Sequence, residues 1–557
     1  MKLVECVPNF SEGRDKKILD AIAAEIQSVS GVKLLDMDPG AATNRTVFTF
    51  AGPPDEVVDA AFLAIKKASE SIDMRHHKGA HPRMGATDVC PFIPISGVTM
   101  DDCVELAKRL GKRVGSELKI PVYLYEYAAL SSSRKSLADI RAGEYEGLAE
   151  KIKKPEWKPD FGPAEFNPKS GATVIGARQF LIAYNVNINT TDVKIAKEIA
   201  FAIREKGRIK RDKHGNKMVD EHGNTVYEHG LFKHCRATGW LIPEYNCAQI
   251  TINLTDFTIT PMHEVFDACC IEAAKHGVRV TGSEIVGLVP KQAMLDAGYH
   301  YLKKQKVTAG VPEKMVIQTA IRSLGLGDVA PFDPAKKIIE SQFEHSSPLA
   351  SMTVKAFADE LSSNSPAPGG GSVAALAGAL SSGLVSMVAS LTHNKKGYEK
   401  VREEMERIGI AAQTNMQTQI EAIDKDTESF NRVMACFGMT KTTEEEKKAR
   451  AHAIEEATKG ATLVPLGVLE RTITALDLAL AVAEKGNQNS LSDAGVAGLM
   501  GFSAALGAYY NVLINLAGIS DKTWTEKTRK TADNLIEKAR EMSSTIEKTV
   551  FQKLHKT

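Results

Sequence analysis

Segments with the composition of β-strands occur only in the first part of this chain, and this division limits the possible folds. Up to about residue 330, short runs rich in Val, Ile, Phe and Thr alternate with helical segments, an alternation typical of α/β or α+β folds. From Val354 onward these runs disappear, and the pattern predicts five to seven long helices. A chain of 557 residues is also too long for one hydrophobic core. We therefore predict a multidomain protein, with two mixed-sheet α/β subdomains followed by an all-α helical bundle.

Individual elements of the first part can be placed by their periodicity. Two amphipathic helices are predicted at 56–71 and 100–118. The predicted strands are Val32–Asp36, Thr46–Ala51, Val89–Ile95, Val122–Tyr125 and Ile182–Ile188. Residues 207–231 are polar and contain three His-Gly pairs, a pattern typical of an exposed hairpin or a mobile loop. No cysteine or carboxylate spacing supports a metal site in that segment.

Changes in composition predict the domain boundaries. A stretch rich in Pro, Gly and Phe near residues 157–171 precedes a new pair of strands, and three prolines between residues 325 and 352 indicate a linker. In the helical part, Thr442 and Glu445 have the spacing of a capping box, and Gly486 is predicted to end a helix. The predicted domains are residues 1–179, 180–328, a linker at 329–348, and 349–557.

Charge and cysteine content limit the location and partners. The formal net charge is only +1, so nucleic acid is not expected as a partner. The N-terminus has no secretion-signal pattern, and eight scattered cysteines do not form a disulfide framework, so we predict a cytoplasmic protein. Two uncharged stretches, 361–394 and 494–520, are long enough to span a membrane. Because both are rich in Gly, Ala and Ser, we predict buried helices instead.

The first candidate for chemistry is His81, which lies in the sequence KGAHPRMG just before a predicted strand. Gly79, Pro82 and Gly85 oppose regular structure, so the histidine is expected on a constrained loop. Its unperturbed pKa near 6.5 suits a general base at neutral pH. The alternative is that His81 only stabilises a turn. Asp36 or Asp38 could orient the imidazole, although the Asp-Pro-Gly sequence that begins at Asp38 is equally typical of a turn.

The second candidate is the glycine run PGGGS at residues 368–372, which precedes a helix rich in small residues. Three glycines at a helix start expose backbone N–H groups to an anion or a planar ligand. No Gly-Lys-Ser/Thr follows, so the run is not a Walker loop. A flexible hinge or a close helix crossing would use the same glycines, and the pattern alone does not distinguish these possibilities.

The third candidate is the Asp-Lys-Asp sequence at residues 424–426, inside a predicted helix. The helical neighbours of Asp424 are mostly polar, which predicts a solvated, ionised carboxylate. The helical neighbours of Asp426 include Ala422, Ile423 and Phe430, so desolvation is expected to raise its pKa and allow it to donate a proton. A boundary salt bridge and a metal-binding Asp-X-Asp pair are the alternatives, and no third metal ligand is evident in the sequence.

Three longer motifs carry a resemblance to a known family. They are LVECVPNFSEG at residues 3–13, GAHPRMG at 79–85 continuing to DVCPFIP at 88–94, and PGGGS at 368–372. Together they resemble the bifunctional formimidoyltransferase-cyclodeaminases, and the resemblance extends over nearly the whole chain. It implies a folate enzyme of histidine degradation. Such an enzyme transfers the formimino group of N-formimino-L-glutamate to N5 of tetrahydrofolate and then cyclises the product to 5,10-methenyltetrahydrofolate with release of ammonia.

The resemblance also implies roles for residues. His81 matches the catalytic histidine of the transferase, and Asp426 matches the proton donor of the cyclodeaminase. Arg83 is a candidate for holding a substrate carboxylate, and the glycine run Pro368, Gly369, Gly370, Gly371 and Ser372 is a candidate ligand-binding segment. The folate-contacting segment is expected to be Gly162, Pro163, Ala164, Glu165, Phe166, Asn167, Pro168, Lys169, Ser170 and Gly171. The expected co-substrate is tetrahydrofolate, with or without a polyglutamate tail, and no metal is required.

The resemblance further implies a homo-oligomer built from dimers. One departure from the family is the stretch 211–229, which is longer than the corresponding connection in its members, and folate access or channelling is expected to differ if this stretch overlies the folate passage. Two alternatives remain for the helical domain. It could act as a methenyltetrahydrofolate cyclohydrolase, or it could be a non-catalytic dimerisation domain.

Overall fold

The structure is a computed structural model that describes residues 2–343 and 348–555. It divides into two compact units, Met1–Ala297 with Ile321–Glu344, and Gly298–Ala320 with His345–Thr557. The predicted class is confirmed, with mixed sheets in the first unit and long helices in the second. Part of the predicted linker, residues 344–347, lies outside the described residues.

The first subdomain is built on a mixed seven-stranded sheet. The two pairings made by the strand Thr173–Ala177 are parallel and the others are antiparallel. Its strands are β1 (Leu3–Cys6), β2 (Asn9–Phe10), β3 (Lys33–Gly40), β4 (Arg45–Gly52), β5 (Thr87–Ser96), β6 (Val122–Glu126) and β7 (Thr173–Ala177). Its helices are α1 (Lys16–Gln27), α2 (Pro54–Ser71), α3 (Met100–Arg113), α4 (Leu137–Arg141) and α5 (Glu144–Lys151). A hydrophobic core forms between one face of the sheet and the first three helices.

The second subdomain has an antiparallel four-stranded sheet in the order β11-β12-β8-β13. The segment 207–231 forms an exposed hairpin, as one of the two alternatives predicted, through the pair β9 and β10. The strands are β8 (Ile182–Ile188), β9 (Arg208–Ile209), β10 (Tyr227–Glu228), β11 (Cys235–Ile242), β12 (Cys247–Leu254) and β13 (Val280–Val286). Its helices are α6 (Val193–Ile203), α7 (Met262–Lys275) and α10 (Pro334–Lys337). Two further helices, α8 (Lys291–Lys304) and α9 (Glu313–Ser323), belong partly to this subdomain and partly to the second unit.

The second unit is a helical bundle. It begins with the short α11 (Val354–Leu361), and its long helices are α12 (Gly370–His393), α13 (Arg402–Phe437), α14 (Glu444–Lys485), α15 (Leu491–Leu516) and α16 (Lys522–Leu554). Residues 298–320, which the sequence placed with the preceding subdomain, pack as part of this unit. The close approach of Gly310 to Gly409 explains this, since a Cβ on Gly310 would lie 2.7 Å from the Gly409 Cα.

Two local predictions are corrected. The capping box lies one residue later, with Thr443 and Glu446 as its members, and Gly486 caps the C-terminus of the same helix as predicted. The helix predicted at 100–118 ends as an α-helix at Arg113 and continues as a π-helical turn, Val114–Leu118, before left-handed Lys119. The five predicted strands are confirmed, each within a few residues of its predicted bounds.

Two helical segments among the described residues, Gly370–His393 and Gln488–Leu516, have the length and apolarity of a membrane span. In the first, 61% of the most apolar window is buried inside the protein, and in the second 39%. The core helix of a bundle has the same length and composition. Burial in the helical bundle therefore accounts for the apolar composition of Gly370–His393.

Candidate active sites

His81 is held beside the turn between β3 and β4 by backbone packing. Gly79 approaches this turn so closely that a Cβ would lie 2.0 Å from the Thr43 carbonyl oxygen. Asn44, in a left-handed conformation, donates its side-chain N–H to the Lys78 carbonyl at 3.1 Å. Only glycine fits at position 79, and the loop therefore presents His81 close to the start of β4.

The hydrogen bonding of His81 leaves its outer ring nitrogen available. Nδ1 lies 2.7 Å from the Pro82 carbonyl oxygen. A carbonyl oxygen can only accept, so Nδ1 carries the proton and Nε2 keeps its lone pair. Burial lowers the pKa of His81, and the positive charges of Arg45 and Arg141 lower it further. The imidazole is therefore neutral near pH 7 and able to accept a proton.

The prediction that Asp38 orients His81 is wrong for this structure. Asp38 is exposed near the end of β3, and the Nδ1 position that an orienting carboxylate would occupy is taken by the Pro82 carbonyl. The orienting group is thus a backbone atom next to the histidine, which no pattern of side chains in the sequence indicates.

Arg83 is also not placed as the sequence predicted. Its guanidinium is buried and donates to Glu144 at 2.9 Å and to Glu146 at 2.7 and 2.8 Å. Its Nε donates to the His77 ring at 3.3 Å, and Nη2 lies 3.5 Å from the His77 carbonyl. These contacts use all the guanidinium donors. Arg83 therefore fixes the loop to α5 and has no donor left for a substrate carboxylate.

Residues 162–171 lie in backbone contact with the loop that carries His81. A Cβ on Gly171 would lie 2.1 Å from the Met84 carbonyl oxygen, and Ala86 donates its N–H to the Ser170 carbonyl at 2.9 Å. Asn167 Oδ1 accepts from the backbone of Lys169 and Ser170, which shapes the turn. The structure thus joins two features that lie about 80 residues apart in the sequence.

A charged group beside His81 was missed by the sequence analysis. Asp88 is buried and pairs with Arg141 of α4, whose Nε lies 3.3 Å from Asp88 Oδ1. Arg45, the first residue of β4, is the third charged residue of this cluster beside His81. Because these residues come from three separate elements, only the fold brings them together.

The second candidate site forms where α12 begins. Gly369 is the N-cap and Gly370 the first residue of α12, so the glycine run is a helix start and not a hinge. A Cβ on Gly371 would lie 2.1 Å from Asp426 Oδ1. Ser372 has a single hydroxyl proton to donate, and its Oγ lies 2.8 Å from the Ile423 carbonyl oxygen and 3.3 Å from Asp426 Oδ2. The structure therefore brings the glycine run and Asp426 into direct contact.

Asp426 has the electrostatic environment that the sequence predicted. Desolvation raises its pKa, and this effect exceeds the opposite effect of the hydrogen bonds from the Ser372 hydroxyl and backbone N–H. The carboxyl group is half-buried, so it is partly desolvated but still accessible. Such an acid can hold a proton and donate it to a leaving group.

The environment predicted for Asp424 is wrong. Its side chain is buried and accepts backbone N–H groups from Leu349 at 3.0 Å and Ala350 at 3.1 Å. These residues precede Asp424 by about 75 positions and cover a face of α13 that its own helical neighbours leave polar. Asp424 therefore anchors the start of the helical domain.

Asn511 of α15 is a further polar residue at the second site. Its Nδ2 would lie 3.3 Å from a Cβ on Gly370, and it donates to the Gly507 carbonyl at 2.8 Å. One indication of this residue was present in the sequence, an asparagine within the uncharged stretch 494–520. Thr427 adds a hydroxyl 3.4 Å from Ser372 Oγ.

Three family models match consecutive parts of the chain. The model for the formiminotransferase domain, N-terminal subdomain, matches residues 3–178, and that for the formiminotransferase domain matches residues 183–344. The model for formiminotransferase-cyclodeaminase matches residues 353–534. The matches place His81 in the first model and Asp426 in the third.

Curated relatives cover the whole chain or one of its parts. The chain is 42% identical to formimidoyltransferase-cyclodeaminase of Rattus norvegicus over 98% of both sequences. It is 47% identical to glutamate formimidoyltransferase of Thermoplasma acidophilum, over 54% of this chain and 93% of the relative. It is 40% identical to methenyltetrahydrofolate cyclohydrolase of Methylorubrum extorquens, over 36% of this chain and 98% of the relative.

Proposed function

The chain belongs to the formimidoyltransferase-cyclodeaminase family, and we propose that His81 serves the first of its two reactions and Asp426 the second. The enzyme transfers the formimino group of N-formimino-L-glutamate to tetrahydrofolate and then cyclises 5-formiminotetrahydrofolate to 5,10-methenyltetrahydrofolate with release of ammonia. The observation that carries the division of roles is that each candidate proton-transfer group lies in a different unit, with its pKa shifted in the direction its step requires.

In the transferase step, N5 of tetrahydrofolate attacks the formimino carbon and must lose its proton. Neutral His81 accepts this proton at Nε2 while its Nδ1–H remains bonded to the Pro82 carbonyl. The carbon–nitrogen bond to glutamate then breaks, and the leaving amine takes a proton, which the imidazolium can return. We propose that residues 162–171, packed against the same loop, contact the folate.

In the cyclodeaminase step, N10 attacks the same carbon and ammonia leaves. To leave as ammonia, the imine nitrogen must gain two protons: the one that N10 loses on attack, and a second one that protonated Asp426 donates. The resulting carboxylate keeps the hydrogen bonds from Ser372, at the positively polarised start of α12. We propose that residues 368–372 bind the ligand beside this acid.

The two steps can be separated in one assay of the purified full chain. With N-formimino-L-glutamate and tetrahydrofolate, we expect methenyl absorbance to rise and ammonia to form in equal amount. An absence of both products would contradict the proposal. Ammonia-free consumption of methenyltetrahydrofolate would instead favour the second candidate function.

That second candidate is a cyclohydrolase activity of the helical domain. It is favoured by the 40% identity to a methenyltetrahydrofolate cyclohydrolase that aligns over 98% of its own length. A cyclohydrolase adds water to the methenyl carbon, whereas the cyclodeaminase expels ammonia from the formimino carbon. Supplying each folate separately and measuring loss of methenyl absorbance against ammonia release distinguishes the two activities.

Replacement of Gly371 with alanine tests the contact between the glycine run and Asp426. The added Cβ would overlap Asp426 Oδ1, so the carboxyl group must move. We expect about a 10- to 100-fold loss of cyclodeaminase rate, since displacements near 1 Å have effects of this size, with the transferase rate unchanged. The matched control is Gly383→Ala in the same helix, where the nearest atom to a Cβ would be Met416 Sδ at 3.4 Å. Equal rates in both variants would contradict the proposed site.

We also propose that the protein is a homo-oligomer built from dimers. One face of α12 leaves Val373, Leu380, Met387 and Leu391 between 38% and 52% exposed, and a continuous apolar stripe of this kind is typical of an interface. In light-scattering measurements, Leu380→Glu is expected to lower the molar mass, whereas Gln417→Glu, an exposed position on α13, leaves it unchanged. A monomeric unmodified protein would contradict the proposal.

We further propose a cytoplasmic location and a tetrahydrofolate substrate that can carry a polyglutamate tail. The location is supported by the cysteines, since none of the eight is in a disulfide in the structure. Fractionation of the producing cells tests the location, and comparison of KM for mono- and polyglutamylated tetrahydrofolate tests the tail.

A further inference from the structure

Arg45 differs from the other arginines near His81 in its hydrogen bonding. Its Nη2 donates to the Asn9 side-chain oxygen, while its Nε is buried without a hydrogen-bond partner among the described residues. Buried donors without partners are rare in folded proteins, and each one calls for an explanation. A ligand group that accepts from Arg45 would satisfy this donor.

The charges around Arg45 indicate the sign of that group. Arg141 is paired with Asp88, and Arg83 is paired with Glu144 and Glu146. The carboxylates that act electrostatically on Arg45 are Asp88 and, more weakly, the exposed Asp38, but neither forms an ion pair or a hydrogen bond with Arg45 among the described residues. Within the part of the chain that the structure describes, Arg45 is therefore a cation without an ion-paired carboxylate, and its charge acts on His81.

Arginine guanidinium groups bind carboxylates through paired N–H donors. The substrate N-formimino-L-glutamate has two carboxylates. The α-carboxylate carbon is three covalent bonds from the formimino carbon, whereas the γ-carboxylate carbon is five bonds away. A cation adjacent to the base that serves the formimino transfer is thus best placed for the α-carboxylate.

We propose that Arg45 binds the α-carboxylate of N-formimino-L-glutamate and so positions the formimino carbon next to His81. The inference rests on the proposed transferase role of His81. It assigns to Arg45 the substrate contact that the sequence analysis assigned to Arg83. Arg45 acts in binding and orientation, and no proton transfer is assigned to it.

The test compares Arg45→Gln with the unmodified full chain on three substrates: N-formimino-L-glutamate, its α-amide and its γ-amide. For the normal substrate, loss of a charge-assisted pair is expected to raise KM about 10- to 100-fold. The KM for tetrahydrofolate should change less than about twofold, because Arg45 is not assigned a contact with tetrahydrofolate. The unmodified enzyme should discriminate against the α-amide, and Arg45→Gln should lose this discrimination while keeping that against the γ-amide.

Two further variants keep the test decisive. Arg45→Lys retains the charge but not the planar fork, so an intermediate KM is expected even if Arg45→Gln folds poorly. Arg109→Gln removes an exposed arginine paired with Asp55 on the surface of α3 and should leave all three substrates unaffected. Unchanged discrimination against the α-amide in Arg45→Gln, or loss of discrimination against the γ-amide instead, would overturn the inference. An unmodified enzyme without transferase activity would refute the proposed function itself.

Discussion

His81→Ala is expected to reduce the formimidoyltransferase rate by about 10²- to 10⁴-fold, the range that a positioned general base contributes. The variant removes the imidazole that is proposed to take the proton at Nε2, since its Nδ1 is committed to the Pro82 carbonyl. Synthetic 5-formiminotetrahydrofolate should still be converted to the methenyl product at the normal rate. Formation of glutamate from N-formimino-L-glutamate measures the first step, and methenyl absorbance measures the second.

The pH dependence gives a second readout of the same residue. Burial and the neighbouring Arg45 lower the pKa of His81. A base must be deprotonated to act, so the transferase rate should fall as the pH drops through this lowered pKa, below the ordinary value near 6.5. His81→Ala should lack this acid limb. The matched control is His76→Ala, an exposed histidine of the same segment. Full transferase activity in His81→Ala would contradict the assignment.

The division of the chain and the choice of Asp426 over Asp424 as the acid followed from local pattern. Helical spacing identifies which residues surround a side chain within its own helix, and Ala422 and Ile423 are indeed buried beside Asp426. The same reasoning failed for Asp424, since its partners Leu349 and Ala350 come from a distant segment. Periodicity therefore predicts the neighbours within one element but not the elements that pack against it.

The arginines near His81 show the same limit in the transferase. Arg83 was the natural candidate because it lies two residues from His81, but the fold directs it to Glu144 and Glu146 on α5. Arg45 of β4 and Arg141 of α4 act electrostatically on His81, although both lie too far from it along the sequence for a local motif to link them. The backbone contacts also could not be predicted from the sequence, since the close approach of Gly171 to Met84 depends on the packing of two loops.

Asp426→Asn is expected to lower the cyclodeaminase rate by about 10²- to 10⁴-fold, because the amide cannot supply the proton that ammonia requires. The transferase should remain active, so 5-formiminotetrahydrofolate should accumulate when both substrates are supplied. Chromatographic measurement of this intermediate, with methenyl absorbance and ammonia, separates the two steps. The matched control is Glu428→Gln, an exposed position on the same helix, which should leave both rates unchanged.

The direction of the Asp426 pKa shift strengthens this test. A general acid acts in its protonated form, and desolvation raises the pKa of Asp426 above its ordinary value. The cyclodeaminase rate should therefore fall as the pH rises through that pKa, and Asp426→Asn should lose this limb. Asparagine keeps the shape of the side chain and can still accept from Ser372, and it removes the cost of burying a charge. The melting temperature of the Asp426→Asn variant should thus not fall, and a loss of rate would then reflect the missing proton donor and not unfolding. Normal cyclisation in Asp426→Asn with an unchanged pH profile would show that another group supplies the proton.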